Sequence, residues 1–303
     1  MWKIDSSSID KNSSPLKFLL KDLPRALVNI APERGSDFVD LHPDFRLVLL
    51  DDKRWTLKVS PQKKEIHFDV FVLEYLWVLA YVHFRYYTKV IQPLEFDQKI
   101  EVKLSDYPEL EPDLRLLDWA MDLRIGFSKA PWPHALPHPD CSDKHDSDNN
   151  VASEIALGAA AFMLHHEFAH LALEHHGTSE VQIENEADAF AWDWALDSFK
   201  TDNCGKFQKR MLLCLHSTLQ GVARDVRLRE ASIVTHPRYI DRATNLLARY
   251  DIDPNSLPFA MAFSTIHFYT VFSERRMDTP AEGFDSFKEA FEWIADFVSK
   301  YSS

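Results

Sequence analysis

Cysteine is scarce in this chain: Cys141, Cys204 and Cys214 are three among 303 residues. An odd, unpatterned set is what a reducing cytosol leaves, and it contains neither a zinc knuckle nor a C-x-x-C redox motif. Long apolar runs are missing too. The most apolar stretch, Val70 to Val82, spans 13 residues, includes Glu74, and falls short of the ~20 a bilayer crossing needs. It reads instead as part of a buried helix running to about Tyr87. Basic charge is in deficit, 34 Lys and Arg against 47 Asp and Glu, so the net charge is 34 − 47 = −13 with no long basic run. That balance excludes general nucleic-acid binding, which rests on phosphate neutralisation. The N-terminus carries no charged-then-apolar signal pattern; Ser6-Ser7-Ser8 and Asn12-Ser13-Ser14-Pro15 read as a loose lead. No internal repeat stands out. A cytoplasmic location is expected.

What is present suits an ordered globule. Hydrophobic residues make up 46% and phenylalanine alone 21 positions, enough for a substantial core in one large domain or two closely packed lobes. Breaker residues divide the chain. Residues 16–32 suggest a short helix and a turn around Pro24. Phe45 to Leu50 and Arg54 to Val59 are apolar runs separated by Asp51-Asp52-Lys53, the pattern of a hairpin, with Glu65 to Phe68 as a third strand. The buried helix of about 69–90 follows, then an acidic connector with Pro93, Pro108 and Pro112, then a helical run from Leu114 to Ile125. From Gly126 to Asn150 the chain is rich in Pro, Asp, Ser and His and reads as a surface loop. Beyond it, apolar residues recur at helical spacing almost to the end. The expected class is therefore mainly α (α+β). A region over 1–125 holds a hairpin or small sheet and the buried helix and offers chain for substrate docking, a loop covers 126–150, and a helical core covers 151–303. One continuous domain can hold all three.

The chemistry concentrates in that core. His166-Glu167-Phe168-Ala169-His170 is an H-E-x-x-H pentapeptide in a strongly helical segment. Residues i and i+4 of a helix lie about 40° apart on one face, so the two imidazoles can hold one Zn²⁺ while Glu167 stands at the edge as a base. The pentapeptide alone also occurs by chance among solvated helix residues. Fourteen residues beyond His170, Glu184-Asn185-Glu186-Ala187-Asp188 opens a second helical run with Glu184 and Asp188 on one face. Gly177 is expected to end the first helix and Ser179 to cap the second, returning Glu184 to the metal as third ligand. Asp188 can then accept the outer N–H of a ligand histidine and fix its tautomer. Glu180 and Glu186 are weaker candidates for the third position. His176 is excluded because Leu173 stands where a helix-breaking glycine would be needed to bring it back. His165 and His175 read as polar helix positions beside the site.

A third segment, Thr235-His236-Pro237-Arg238-Tyr239-Ile240-Asp241-Arg242, precedes another helix, with Thr235 as cap and Pro237 in the first turn. His236 at that N-terminus reads either as a cap-region residue or as a donor to the oxyanion formed in peptide hydrolysis. The 126–150 loop adds His134, His138 and His145, with Cys141 among them. It reads as a polar loop, or as a lid whose thiolate blocks the metal.

H-E-x-x-H, E-x-x-A-D and the later T-H-P together resemble the gluzincin metallopeptidases. The wording around residues 160–200, and loosely 232–246, is more narrowly similar to phage-exclusion peptidases of the Lit type. Residues 1–150 carry no matching motif. The resemblance implies a zincin-like helical catalytic core and one Zn²⁺ per chain held by His166, His170 and Glu184. It makes Glu167 the base, His236 the transition-state histidine, and Asp188 a support. It also implies a protein substrate, elongation factor Tu, cut after a phage-derived signal. A second class stays open: a metallopeptidase-like sensor that binds or cleaves a partner regulator, although no basic recognition helix is evident.

Overall fold

A computed structural model of the chain describes residues 3–7, 14–34, 37, 45–94, 96, 98–125, 130–139, 147–175, 181–197, 205–227, 237–275 and 277–301. They are mainly helical, with one small sheet in the N-terminal region, as the sequence predicts.

The sheet has four strands: β1 (Lys3–Asp5), β2 (Arg46–Leu50), β3 (Leu57–Ser60) and β4 (Glu65–Asp69), in the order β1-β2-β4-β3. The hairpin expected between residues 45–50 and 54–59 does not form. β2 pairs in parallel with β4, and the hairpin is β3 against β4, closed by the turn at residues 61–64. The cause lies in the polar residues read as a hairpin turn. The Asp52 N–H donates to Asp69 Oδ2 at 2.9 Å, and the Lys53 ammonium reaches the buried Glu74 at 3.0 Å. Those ties carry the chain across the end of β4 instead of back along β2. β3 therefore forms an edge of the sheet, with its outer side unpaired by any other described strand.

Two short helices, α1 (Lys17–Leu20) and α2 (Leu23–Asn29), fill the region expected to hold a helix and turn. The long apolar segment is α3 (Val70–Tyr86), prolonged by a π-type turn over Tyr87–Ile91. Asp69 caps it by accepting the Phe71 N–H. Apolar side chains on every face of α3 are buried, which is why its sequence shows little amphipathic contrast. α4 (Glu111–Arg124) lies on one side of it. The motif helix α5 (Asp148–Ala172) lies on another, where the Trp77 indole donates to Ser153. α5 begins inside the expected 126–150 loop because Ser147 caps it, accepting the Asn150 N–H. Of that loop, residues 130–139 are irregular, while Cys141 and His145 lie outside the described residues, as does Cys204.

The remaining helices are α6 (Val181–Leu196), α7 (Gly205–Thr218), α8 (Val222–Arg227), α9 (Tyr239–Ala248), α10 (Leu257–Phe272) and α11 (Phe287–Tyr301). α7 crosses α5 closely at Gly158, where a Cβ would stand 2.4 Å from Leu213 Cδ1. No helix among the described residues is long and apolar enough to cross a membrane.

Three histidines are sealed between α3, α7 and α10. His83 shares a hydrogen bond with the Tyr269 hydroxyl, His267 Nδ1 bonds the Tyr86 hydroxyl, and His216 Nε2 donates to the Leu76 carbonyl. Burial pushes all three down: His83 well below its ordinary range, His216 to about 4 and His267 to about 3. Their neutral forms fit the fold, so the stability they permit is complete above the unfolded value near 6.5 and is lost as pH falls below it. Each such histidine should lower the unfolding free energy by up to about 1.4 kcal/mol per pH unit below 6.5. Urea unfolding at pH 7, 6 and 5 is expected to show a steep fall, shallower by roughly that amount in His216→Gln, whose amide can still donate to Leu76. Parallel slopes for the two proteins would contradict this.

Candidate metal centre

The centre is built from α5 and α6, joined through residues 173–180. α5 ends earlier than Gly177. Leu173 closes its last turn, Glu174 adopts a left-handed conformation at φ 53°, and the His175 N–H returns to the His170 carbonyl at 2.9 Å. The helix thus breaks at Leu173–Glu174 without a glycine, so the reason given for excluding His176 does not hold. His176, Gly177, Ser179 and Glu180 themselves lie outside the described residues.

The break lets α6 return across α5. His166, His170 and Glu184 converge, with ligand-type atoms all within 4.8 Å of one another, and could hold a metal ion. His166 Nε2 stands 3.3 Å from His170 Nε2 and 3.3 Å from a Glu184 oxygen, and His170 Nε2 stands 3.7 Å from the other Glu184 oxygen. Glu184 is buried, a costly position for a carboxylate without a cationic partner.

The outer nitrogen of each ring is also engaged. His166 Nδ1 bonds Asp188 Oδ1 at 2.9 Å. Asp188 lies one turn after Glu184 on α6 and has no exposed surface. A carboxylate only accepts, so the His166 proton sits on Nδ1 and, when the ring is neutral, the Nε2 lone pair faces inward. Asp188 is held in turn by Arg242 of α9, whose Nε and Nη2 donate to its two oxygens at 2.6 Å each. Burial opposes the Asp188 charge, but Arg242 and His166 outweigh it and hold the carboxyl well below the usual range.

His170 Nδ1 faces His175 Nδ1 at 3.0 Å, and His175 Nε2 faces Glu186 at 3.2 Å. Since Glu186 accepts, His175 carries its proton on Nε2 and offers a lone pair to the His170 Nδ1–H. Both central rings therefore have Nε2 directed inward. His175 is thus more than a polar helix position, and Glu186 belongs to this outer chain rather than to the ligand set. His165 also departs from expectation: it is buried, donates to the Leu27 carbonyl and stacks on Trp194.

Glu167 meets the sheet, where the Val59 N–H of β3 donates to it; burial, reinforced by the Glu184 charge, pushes its carboxyl up to about 7. For His166, burial opposes the charge but hydrogen bonds to Asp188 and Glu184 raise it to about 9. His170 is lowered to about 4 by burial and the neighbouring His166. Without metal, one proton therefore resides on His166, and a metal entering near neutral pH must expel it.

His236 and Thr235 lie outside the described residues. α9 begins at Tyr239, after Pro237 rather than at it, and the Asp225 carboxylate accepts the Ile240 N–H near its start. Arg242 was missed from sequence, although a signal exists. It falls within a helix whose Ile240, Ala243, Leu246 and Leu247 are buried, an unusual setting for an arginine unless it meets a buried acid.

Removing one partner of a buried ion pair leaves the other charge uncompensated. Asp188→Asn should destabilise the metal-free protein by about 3–5 kcal/mol, whereas Asp188→Leu with Arg242→Met should cost much less than the two single changes summed. Urea unfolding of the four proteins measures the coupling, and additive losses would contradict the assigned pair.

A family described as Peptidase U49 matches residues 66–265, a span that includes α3, the sheet's β4 strand and the whole centre. The chain is similar to the cell death peptidase of Escherichia coli (strain K12), 24% identical over 299 residues, covering 96% of this chain and 99% of that protein. No solved structure matches at a significant level. With a family match over well over half its length and a full-length peptidase relative, the chain belongs to the Peptidase U49 family and is a peptidase.

Proposed function

We propose that this peptidase is a zinc endopeptidase of the gluzincin type, with one Zn²⁺ held by His166, His170 and Glu184 and with Glu167 as the general base. The spacing of the donors carries the reading. Zinc bonds of about 2.0–2.1 Å in a tetrahedron put neighbouring donors roughly 3.4 Å apart. Here the two Nε2 atoms are 3.3 Å apart, His166 Nε2 is 3.3 Å from one Glu184 oxygen and His170 Nε2 is 3.7 Å from the other, and one donor atom from each residue lies within 4.8 Å of the other two. Two imidazoles and a carboxylate are a donor set suited to zinc, and three protein donors leave a fourth position, as catalytic sites do. Bound there, Zn²⁺ supplies Lewis acidity, acidifying water and polarising a carbonyl.

The chain's own residues supply the rest. Glu167 takes a proton from the attacking water and delivers it to the leaving amine. Asp188 and His175 fix the tautomers and orientations of His166 and His170. The edge of β3 supports a peptide substrate. The Asp69 N–H bonds the Thr56 carbonyl, so Thr56 and Lys58 turn their backbone groups toward β4, and Leu57 and Val59 turn theirs outward. An extended peptide can add to that edge as a further strand, beside the Glu167 carboxylate that the Val59 N–H already reaches. His236 carries over from the T-H-P resemblance as the residue assisting the oxyanion. The Lit-type resemblance makes elongation factor Tu the first substrate to try, with a phage-derived component as activator.

Glu167→Gln should retain stoichiometric zinc and lose about 10²–10⁴-fold in turnover. Glu184→Ala should lose the zinc, and His175→Ala should weaken zinc affinity by about 10–100-fold. Chelator competition on the purified variants measures both effects, and a Glu167→Gln protein with full activity sinks the mechanism. Incubation of the zinc-loaded protein with bacterial lysate, with and without phage components, is expected to give one new fragment, from elongation factor Tu. Indiscriminate digestion of casein would contradict the narrow specificity, and a fully zinc-loaded protein that cuts nothing would favour the sensor alternative.

A further inference from the structure

Arg124, the last residue of α4, has a guanidinium with no carboxylate beside it. It lies 3.6 Å from the centre of the Trp55 ring and hydrogen-bonds the Tyr239 hydroxyl, and the Arg224 cation acts on it repulsively. Among the described residues no salt bridge involves it, whereas other buried arginines are paired. Burial lowers its proton affinity, the expected response of a cation stripped of water without a counter-charge. Arg85, Arg210 and Arg242, also largely buried, each hold a carboxylate.

Aromatic rings frame the guanidinium. Trp55 provides the flat floor and is itself braced edge-on by Tyr75, with ring centres 5.5 Å apart. Tyr239 forms one wall. Its ring packs on Gly221, where any Cβ would collide with it at 2.2 Å, and its hydroxyl oxygen also faces the Gln220 amide nitrogen at 3.5 Å. That oxygen accepts from Arg124, leaving the hydroxyl proton available to a ligand. Gln220 Oε1 is buried without a partner. The group thus combines a planar guanidinium and a hydroxyl over an indole face, with a second cation, Arg224, acting on it.

Its place relative to the centre is fixed from two sides. Trp55 lies two residues before β3 and four before Val59, whose N–H meets Glu167. Four residues of extended chain span about 13 Å. On the other side, the Tyr239 ring lies 5.7 Å from the Arg242 guanidinium that grips Asp188. A peptide paired along β3 with its reacting bond beside Glu167 would carry a side chain three to five residues away over Arg124.

We infer that Arg124, Trp55 and Tyr239 form a specificity pocket for the carboxylate of an Asp or Glu side chain in the substrate, three to five residues from the bond that is cut. This rests on the peptidase reading with Glu167 at the reacting bond. The guanidinium is suited to a carboxylate because its fork can donate two parallel N–H bonds while its face remains on the indole.

The test uses zinc-loaded full-length protein, with the phage components of the lysate assay present, and a peptide library derived from a bacterial proteome, with free and with amidated C-termini, cut sites being read by mass spectrometry. Wild-type protein should enrich Asp and Glu at a single position three to five residues from the cut, in both libraries. Arg124→Ala should lower kcat/KM on a peptide with Glu there by about tenfold, while its Gln counterpart is cut as before. Arg124→Lys should keep part of the preference, and Arg124→Glu should turn it toward Lys and Arg, so the inference does not depend on one variant folding. Cleavage without an acidic preference, or a preference unchanged in Arg124→Ala and Arg124→Glu, overturns the pocket and leaves the peptidase standing. Enrichment that vanishes on amidation overturns it in favour of a chain-terminal carboxylate. A wild-type protein that cuts neither peptides nor lysate proteins overturns the peptidase reading, and the pocket with it.

Discussion

Asp188 is the point on which the centre depends. A carboxylate with no exposed surface cannot stay charged in a protein interior unless cations and donors replace the lost water. Here Arg242 covers both oxygens and His166 Nδ1 meets one of them. The three residues come from α9, α6 and α5, so one buried charge ties three helices together. Glu184 lies one helical turn before Asp188, and fixing the Asp188 end of α6 delivers Glu184 to the inner side of the same imidazole. The donor set is arranged by protein–protein contacts. In the metal-free state, the proton that His166 keeps to about 9 takes the place of a cation between the two carboxylates.

A second constraint is the way α5 ends. The left-handed turn at Glu174 folds His175 back onto His170 and frees the chain to return as α6. Without that turn the helix would continue past the centre and neither Glu184 nor His175 would meet the rings. On the opposite side, β3 brings a sheet edge to Glu167, so the helical half and the N-terminal sheet meet at the proposed reacting position. The sheet is thereby part of the proposed site; residues 1–150, without a recognisable motif, suggested only a general docking role.

What could be read from the chain follows from how local each feature is. H-E-x-x-H and E-x-x-A-D are i, i+4 relations within one helix, so spacing alone places their side chains, and His166, His170 and Glu184 do converge. α3 was legible because an apolar run with one acid is too short for a membrane and too long for a strand. The strand order was not, because Asp52 and Lys53 are tied to Asp69 and Glu74, 17 and 21 residues further along the chain, well past the adjacent strand they were expected to turn into. His175 was misread because its position depends on a non-glycine residue taking a left-handed conformation. Arg242 sits at a buried position of its helix, but its partner Asp188 is on another helix, and Arg124 meets Trp55 before β3 and Tyr239 on α9, contacts that no local spacing reveals. His236 lies outside the described residues, and its role still rests on the resemblance alone.

The central claim is that these side chains, and no others, form a single zinc site. Diffraction from crystals of the zinc-loaded protein, recorded on both sides of the zinc absorption edge, tests it directly. The account predicts one anomalous peak per chain, about 2.0–2.1 Å from His166 Nε2, His170 Nε2 and a Glu184 oxygen, with Asp188 and His175 still on the outer nitrogens. A peak centred on other residues, or zinc held through Nδ1 of either histidine, would contradict it.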